Sequence, residues 1–297
     1  MLWVCTCAGS APYDARMLDA GQVKRAMLTP YGAPLRLAHT GVVRAQLAAV
    51  GVLDRWRFRR RADPGWLADE ITVAAKTFLR PGTARRMVRS LRRVFPGRIV
   101  IADDSPEPMS PPDDRTEIVA MPFNSGVSRG RNAALDRVRT PYVLVTDDDA
   151  VFTRGSGLAD ALRFLQEHPE VDAVCAVIVE LPRWYTVTYT RAEEELFPGH
   201  LPPRVPFGEL IGGLPVVPKA PQTYLARTEA LRTVPYDENL RMVDHRDFYS
   251  AACGRLVFVQ DPGFVAFHAR TPFDRTYTAY REDVAADLAY LRHKWRA

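Results

Sequence analysis

Three consecutive aspartates, Asp147, Asp148 and Asp149, follow the apolar and β-branched stretch 142–146. Adjacent carboxylates repel one another, so a cation beside them is expected. Mg²⁺ and Mn²⁺ prefer oxygen ligands and often take only one or two protein carboxylates together with substrate phosphates. The segment therefore predicts a site for a divalent cation and a phosphate-bearing ligand. In an extended chain alternate side chains share a face, so Asp147 and Asp149 are expected to point one way and Asp148 the other.

A second acidic pair, Asp103 and Asp104, follows another short apolar stretch, residues 98–102. Apolar strands that alternate with helices are typical of an α/β fold with a mostly parallel, Rossmann-like sheet covered by helices on both faces. Such sheets bind ligands at the carboxyl ends of their strands. Both acidic clusters are thus expected at one edge of the sheet. The alternative interpretation is that they form solvated turns or helix caps.

Hydrophobic patterning predicts the elements that position these acids. The predicted strands are 71–79, 98–102, 117–121, 142–146 and 171–179, and the predicted helices are 83–95, 128–138 and 158–167. Residues 1–70 are harder to organise, with a helical pattern near residues 37–52. After residue 180, many prolines and the Gly212-Gly213 turn indicate loops shaped around a ligand. The C-terminal stretch has the spacing of an amphipathic helix, which we expect to pack on the body of the protein, with membrane or partner contact as the alternative.

The 297-residue chain carries 40 Lys and Arg against 35 Asp and Glu, a net charge of +5. This mild excess favours anionic ligands or an anionic membrane surface. Dense arginines in 55–61 and 80–93 are interpreted as solvated helix faces. Cys175 and Cys253 look like core residues, and Cys5-Thr-Cys7 lacks partners for a zinc site. With no signal-peptide pattern and no membrane-length apolar run, we expect a cytoplasmic protein, soluble or peripheral to the membrane.

Three segments in order carry a family resemblance: Ile99-Val-Ile-Ala-Asp-Asp-Ser105, Phe123-Asn-Ser-Gly-Val-Ser-Arg-Gly-Arg-Asn-Ala-Ala-Leu135 and Tyr142-Val-Leu-Val-Thr-Asp-Asp-Asp-Ala-Val-Phe152. The chain resembles a family 2-type glycosyltransferase of the GT-A fold, and in these segments it is similar to the β-1,4-N-acetylgalactosaminyltransferases. The likeness covers roughly residues 71–270. Within it, residues 71–180 would form a nucleotide-sugar-binding half and residues 181–270 an acceptor-binding and catalytic half. Residues 1–70, an N-terminal extension of unknown role, and residues 271–297, the C-terminal amphipathic helix, lie outside the likeness.

On the donor side, the resemblance implies that Asp149 binds Mn²⁺ or Mg²⁺ with the diphosphate. Asp147 approaches the ribose or sugar and shares the metal site, and His268 is a further candidate ligand, although a lone histidine is more often structural. One of the two acids at 103 and 104 would hydrogen-bond the uracil. The residues assigned to the nucleotide-sugar are Thr77, Phe78, Arg80, Asp103, Asp104, Arg131, Asn132, Asp147 and Asp148.

On the acceptor side, the family uses an acid in the second half of the chain to deprotonate the acceptor hydroxyl. Asp244 and Asp247 occupy the matching region, and Asp244 is favoured. The local sequence departs from the usual Glu-Asp pattern and from its His-rich variant, so the choice between them stays open. His245 would position the acceptor. The backbone at Gly212 and Gly213 would approach the acceptor, or would simply turn the chain.

The predicted function is therefore a metal-dependent, inverting transfer of a sugar from a nucleotide diphosphate, with UDP favoured, to a hydroxyl of a glycan, lipid-linked or small-molecule acceptor. Nucleic acid is not among the expected partners. One alternative is a sugar-phosphate nucleotidylyltransferase, which needs a Gly-rich basic loop after its first strand; here the strand leads into Phe78-Leu-Arg-Pro-Gly82. A second alternative is a non-catalytic domain of the same fold that binds a glycan or partner, against which the intact acids argue.

Overall fold

The computed structural model describes residues 29–57, 65–186, 189, 191–269, 274–281 and 284–295. After a short 3-10 turn, the helices are α1 Ala33–Arg57, α2 Leu67–Glu70, α3 Pro81–Leu91, α4 Val127–Leu135, α5 Leu158–Glu167, α6 Ala192–Glu195, α7 Thr228–Arg232, α8 His245–Ala252, α9 Arg275–Arg281 and α10 Ala285–Trp295. The strands are β1 Ile71–Thr77, β2 Ile99–Asp103, β3 Thr116–Ala120, β4 Tyr142–Asp147, β5 Ala150–Val151, β6 Ala173–Glu180, β7 Tyr185–Thr186, β8 Leu210–Ile211, β9 Leu214–Pro215, β10 Tyr224–Arg227 and β11 Phe258–His268.

One large sheet has the strand order β3-β2-β1-β4-β10-β6-β11-β5, with β7 on β6. Strands β3, β2, β1 and β4 pair in parallel, as do β6 and β11. Strand β10 is antiparallel to both β4 and β6, so these two strands point the same way. Six strands of the sheet therefore bring their carboxyl ends to one edge, and β5, β7 and β10 run against them. The α/β class predicted from the sequence is confirmed.

Alternate residues of the central strands enter two different cores, as the pleat of a strand requires. In β1, Val73 and Ala75 pack on one face with α3 and α5, whereas Ala74 packs on the other face with α4 and α8. Both faces of the sheet are thus covered, which explains why its strands read as continuous apolar runs. Residues 71–180 and 181–270 contribute strands to this same sheet.

Predicted and observed element boundaries agree to within a few residues over 71–180. Within residues 224–234, a short strand, β10, is followed directly by the helix α7. Helix α1 is longer than its helical pattern suggested. The C-terminal helix α10 packs on the body, with Trp295 stacked on Phe197 at 5.7 Å between ring centroids.

Two of the four cysteines, Cys175 and Cys253, are buried and unbridged. The prediction that both are core residues agrees with this burial. The prediction about Cys5 and Cys7 lies outside the described residues. Among the helices that the structure describes, none combines the length and apolar character needed to span a bilayer.

Candidate active site

A cleft of about 500 Å³ lies at the edge where the parallel-oriented strands end. Its floor is formed by residues at or just after the ends of β1, β4, β6 and β11, as expected for this class of sheet. Because β10 runs the other way, the residues before it, Gln222 and Thr223, reach the same edge. The N-terminal ends of α4 and α8 supply one wall, and α9 lies over the cleft with Tyr277, Thr278 and Arg281.

The three aspartates sit where β4 turns into β5. Strand β4 ends at Asp147, and Asp148 and Asp149 form the turn itself. The prediction that Asp147 and Asp149 share a direction is therefore wrong, because it assumed an extended chain. Asp147 is about half exposed and points to Arg131, whereas Asp148 and Asp149 are buried and share Arg80.

Asp149 lies between two cationic side chains. Its Oδ1 is 2.9 Å from Nε2 of His268 and its Oδ2 accepts a hydrogen bond of 3.1 Å from Arg80. Burial alone would raise the pKa of Asp149, but His268 and Arg80 outweigh it and hold the pKa well below the ordinary value. Burial alone would lower the pKa of His268, but Asp149 and Glu180, at 2.8 Å from Nδ1, raise it to about 10. The site thus holds an ionised carboxylate with a histidine beside it.

Asp148 is the most enclosed of the three acids. Its Oδ2 accepts a hydrogen bond of 2.7 Å from the Thr77 hydroxyl, and its Oδ1 pairs with Arg80. Burial, opposed by the attraction of Arg80, raises the pKa of Asp148 to about 6. The Arg80 guanidinium also lies over the ring of Tyr277, 4.2 Å from its centroid. Strand β1 and helix α9 therefore meet at this carboxylate.

Arg131 joins the end of β4 to the residue that precedes α8. One guanidinium nitrogen donates to Asp147 Oδ1 at 2.9 Å and another pairs with Asp244 Oδ2. Burial alone would lower the pKa of Arg131, but Asp244 and Asp147 raise it well above its ordinary value, so the arginine is a fixed cation. Burial, opposed by Arg131, raises the pKa of Asp244. A buried carboxylate with a raised pKa suits proton abstraction.

The segment that carries Asp244 is held from outside the cleft. The buried carboxylate of Asp287 in α10 accepts hydrogen bonds from the backbone N–H groups of Arg241, Met242 and Val243 at 3.1, 2.7 and 2.9 Å. Next in the chain, His245 lines the cleft and donates from Nε2 to the Ala220 carbonyl at 2.6 Å. Helix α10 thus fixes the entry of the chain into α8.

Asp103 and Asp104 reach the predicted edge of the sheet, but the structure does not bring them to the cleft wall. Asp103 accepts hydrogen bonds from the backbone N–H groups of Ser105 and Met109 at 2.9 and 2.8 Å. Asp104 accepts one from the Gly126 N–H at 3.0 Å and pairs with Lys76 at 2.8 Å. Gly126 has φ of +102°, and a Cβ there would lie 2.8 Å from Cα of Arg241, so only glycine fits. Both acids therefore shape loops beside the cleft.

Other predicted residues lie farther away. Asp247 pairs with Lys294 and accepts a hydrogen bond of 2.7 Å from the Trp295 indole, so it anchors α10. Asn132 donates to the Tyr236 carbonyl at 2.9 Å and does not line the cleft. Gly212 has φ of +54° and packs against His168, and it lies with Gly213 outside the cleft.

Several cleft residues were absent from the sequence prediction. Glu180 ends β6 and lines the cleft beside His268; the rule that singled out the other acidic strand ends would have found it. Lys76 precedes Thr77 in β1 and links Asp104 to the cleft. The residues of α9 carried no comparable signal, because that part of the chain lay beyond the recognised motifs.

The donor set fits a divalent cation that also binds a ligand's phosphates. Within the part of the chain that the structure describes, no three His, Cys, Asp or Glu side chains form a metal cage by themselves. Such a cage is not needed, because Mg²⁺ is usually bound by one or two carboxylates together with substrate phosphates. Asp147, Asp149 and His268 all line the cleft; the two aspartates supply carboxylate oxygens, and the imidazole nitrogens of His268 are bound by Asp149 and Glu180.

Residues 72–211 match the family model described as glycosyl transferase family 2. Over 247 residues the chain is 33% identical to mouse beta-1,4 N-acetylgalactosaminyltransferase 2, covering 77% of this chain and 47% of the relative. Over 239 residues it is 37% identical to rat beta-1,4 N-acetylgalactosaminyltransferase 1, covering 74% and 44%. The chain thus spans less than half of these relatives. The predicted family resemblance is confirmed.

Solved structures are more distantly similar. Staphylococcus aureus TarS 1–349 in complex with UDP-GlcNAc is 18% identical, with a TM-score of 0.48 over 68% of this chain and 61% of that one. The mannosyltransferase PcManGT from Pyrobaculum calidifontis in complex with GDP-Man and Mn²⁺ is 17% identical, with a TM-score of 0.48 over 86% and 76%.

Proposed function

We propose that this chain, whose residues 72–211 belong to glycosyl transferase family 2, is a metal-dependent, inverting glycosyltransferase that moves a sugar from a UDP-sugar to an acceptor hydroxyl. One observation carries the proposal. A single cleft brings the acidic turn at Asp149 together with cationic side chains and, across Arg131, with a buried carboxylate whose pKa is raised, Asp244.

The donor diphosphate would lie against the acidic turn. Lys76, Arg80, Arg131 and Arg281 line the cleft around it, and guanidinium groups suit phosphate oxygens because they donate in a planar fork. A Mg²⁺ or Mn²⁺ ion held by Asp149, with Asp147 beside it, would supply charge stabilisation for the departing diphosphate. His268 would become a further ligand once its Nε2 proton is released to make room for the ion. Asp147, half exposed and fixed by Arg131, is placed to accept a hydrogen bond from a ribose or sugar hydroxyl.

The nucleobase would lie at the end of β1. Phe78 forms part of the cleft wall and is packed edge-to-face against Tyr280 of α9, with 5.4 Å between their ring centroids. Phe78 would offer an apolar ring to the base, with the side chains of Thr77 and Arg80 nearby, both bound to Asp148. Asp103 and Asp104 support the loop behind it.

The acceptor hydroxyl would approach Asp244. This carboxylate is buried, carries a raised pKa and is joined through Arg131 to Asp147. It can therefore take the acceptor proton as the new bond to the sugar forms and the bond between the sugar and the diphosphate breaks. A single displacement of this kind inverts the anomeric centre and needs no covalent intermediate. Arg131 keeps Asp244 at a fixed distance from Asp147 by binding both.

For the sugar, we propose N-acetylgalactosamine or a related hexosamine, because the two relatives aligned over about three quarters of this chain are N-acetylgalactosaminyltransferases. The acceptor is a glycan, a lipid-linked molecule or a small molecule that carries the hydroxyl.

The test is donor hydrolysis, which needs no acceptor. The protein is incubated with UDP-GalNAc, UDP-GlcNAc or UDP-Gal in the presence of Mn²⁺, Mg²⁺ or EDTA, and UDP release is measured. We expect metal-dependent release that Asp149→Ala abolishes. Asp160→Ala serves as a matched control, because that aspartate forms an exposed ion pair with Arg163 on α5.

Three outcomes would count against the proposal. An active Asp149→Ala protein would refute the metal assignment. Pyrophosphate release from a nucleoside triphosphate and a sugar phosphate would identify a nucleotidylyltransferase. An absence of metal-dependent heat when UDP is titrated in a calorimeter, together with an absence of turnover, would leave a non-catalytic binding domain.

A further inference from the structure

Helix α1 exposes a long apolar face. Only Val43, Val50 and Asp54 of its 25 residues are buried. On the other side, apolar residues recur at positions 35, 38, 42, 45, 49, 52 and 56, spaced by three and four, which places them on one face of the helix. The large side chains exposed along α1, at 48% to 80%, are Leu35, Leu37, Val42, Val52, Leu53 and Trp56.

Arginines flank this apolar face. Arg44 and Arg55 are exposed on α1 itself. Helix α3 presents Arg85 and Arg89, which are exposed and spaced by four, and Arg93 follows just beyond its end. A guanidinium nitrogen of Arg93 lies 3.7 Å from where a Cβ on Gly51 would be, so this end of α3 runs beside α1. We call the exposed apolar side chains of α1 and these arginines the basic–apolar surface.

The two helices offer this surface no exposed acid. Asp54 is the single acidic residue of α1, and it is buried, accepting a hydrogen bond of 3.0 Å from the Gly155 N–H. Helix α3 contains none. In the sequence, the last residue of α1 begins the arginine-rich run Arg57-Phe-Arg-Arg-Arg61, which carries more positive charge. A partner of this surface must therefore be anionic as well as apolar.

We propose that the basic–apolar surface docks on an anionic lipid bilayer. An interfacial helix with arginines beside a face of Leu, Val and Trp lies in the plane of the headgroups, with its apolar side at the acyl boundary and its cations near lipid phosphates. The surface lies outside the cleft, so the inference stands independently of the proposed transferase activity. It would hold the protein at the bilayer through α1 and α3.

A second copy of the chain fits this surface less well. In a two-fold symmetric dimer the same patch faces itself. The arginines at 44, 55, 85 and 89 would then meet the same positive charges, and neither helix supplies an exposed acid to compensate. Like charges placed together across an interface oppose association.

The test is co-sedimentation of the full chain with phosphatidylcholine vesicles, with and without phosphatidylglycerol. We expect sedimentation with the anionic vesicles that falls as salt is raised. The Arg85→Gln/Arg89→Gln variant should partition roughly 25-fold more weakly, about fivefold per arginine. The Leu53→Ser/Trp56→Ser variant should partition at least about tenfold more weakly.

Leu210→Ser is the matched control, because Leu210 is 63% exposed on β8, outside the basic–apolar surface; its partitioning should equal that of the wild type. Wild-type protein that stays in solution with anionic vesicles would overturn the proposal, as would undiminished sedimentation of the Leu53→Ser/Trp56→Ser variant. Light scattering without vesicles provides a further check. A wild-type dimer that the same variant converts to a monomer would show that a second copy covers the surface.

Discussion

Arg80 and Asp149 form an ion pair in the cleft, with 3.1 Å between a guanidinium nitrogen and Oδ2 of the carboxylate. The same guanidinium pairs with Asp148. A side-chain cation thus offsets the acidic turn at the place where the proposed function puts a divalent cation. The arginine and a bound metal ion would share the same carboxylates.

The first prediction concerns this sharing. Arg80→Met should destabilise the metal-free protein by about 3 kcal/mol, because it removes the cation that two buried carboxylates share. Adding Mn²⁺ and UDP should recover part of the loss, because the ion supplies the missing charge. Urea unfolding with and without both ligands measures this. Arg163→Met, which breaks an exposed pair, should cost less than about 1 kcal/mol; an equal cost of Arg80→Met in both conditions would contradict the prediction.

The second prediction concerns Arg131, which bridges Asp147 and Asp244. Arg131→Met should lower the free energy of unfolding by about 3–5 kcal/mol, because Asp244 then stays buried and unpaired. In the double variant with Asp244→Asn the loss should be smaller than the sum of the two single losses. Denaturant unfolding of the four proteins gives the coupling energy, and strict additivity would show that the pair contributes nothing.

A third prediction separates the role of Asp287 in positioning Asp244 from the general packing of α10 on the body of the protein. Asp287→Asn should reduce kcat by up to about 100-fold, because the segment that delivers Asp244 is no longer fixed by the carboxylate. The KM for the donor should change little. Asp247→Asn weakens the same C-terminal helix at contacts outside the cleft, so its kcat should stay close to wild type. Equal losses in the two variants, or an inactive Asp247→Asn protein with an intact fold, would contradict this assignment.

The fourth prediction is a pH dependence of stability. Burial, with Lys219 nearby, lowers the pKa of His245 to about 3. The unfolded chain therefore binds a proton at this histidine below its ordinary pKa of about 6.5, whereas the folded chain does not. Stability must fall as pH drops from about 6.5 toward 3, by up to about 1.4 kcal/mol per pH unit from this group.

His245→Gln should flatten that slope while keeping a donor for the Ala220 carbonyl. Urea unfolding between pH 7 and pH 4, with His293→Gln as a control for loss of an exposed histidine, measures the difference. Parallel slopes for wild type and His245→Gln would show that His245 titrates alike in the folded and unfolded states.

The strands and the edge that carries the cleft could be predicted because they depend on local patterns. Strands such as β1 and β4 read as apolar runs since both faces are covered, and parallel strands deliver their last residues to one edge. The rule placed the acids at 147–149 correctly on that edge. It also singled out Asp103 and Asp104, whose carboxylates are taken by N–H groups of nearby loops.

What could not be predicted depends on distant parts of the chain. The salt bridges of Arg131 with Asp147 and Asp244 join residues about a hundred positions apart in the sequence. The hydrogen bonds from the backbone of residues 241–243 to Asp287 require that α10 fold back onto the body of the protein. Strand β10 is four residues long, too short for its pattern to reveal which strands it joins. Each of these features depends on tertiary contacts between distant segments and not on the spacing of residues along the sequence.

The antiparallel strand β10 has a consequence for how the chain is made. Until residues 224–227 leave the ribosome, β4 and β6 have no shared neighbour, and each presents an open row of backbone donors and acceptors. A nascent chain that stalls before this point would expose two unpaired strand edges, with which other copies of the chain could pair. We therefore expect the nascent chain to be most prone to self-association in the interval between the emergence of β6 and that of β10.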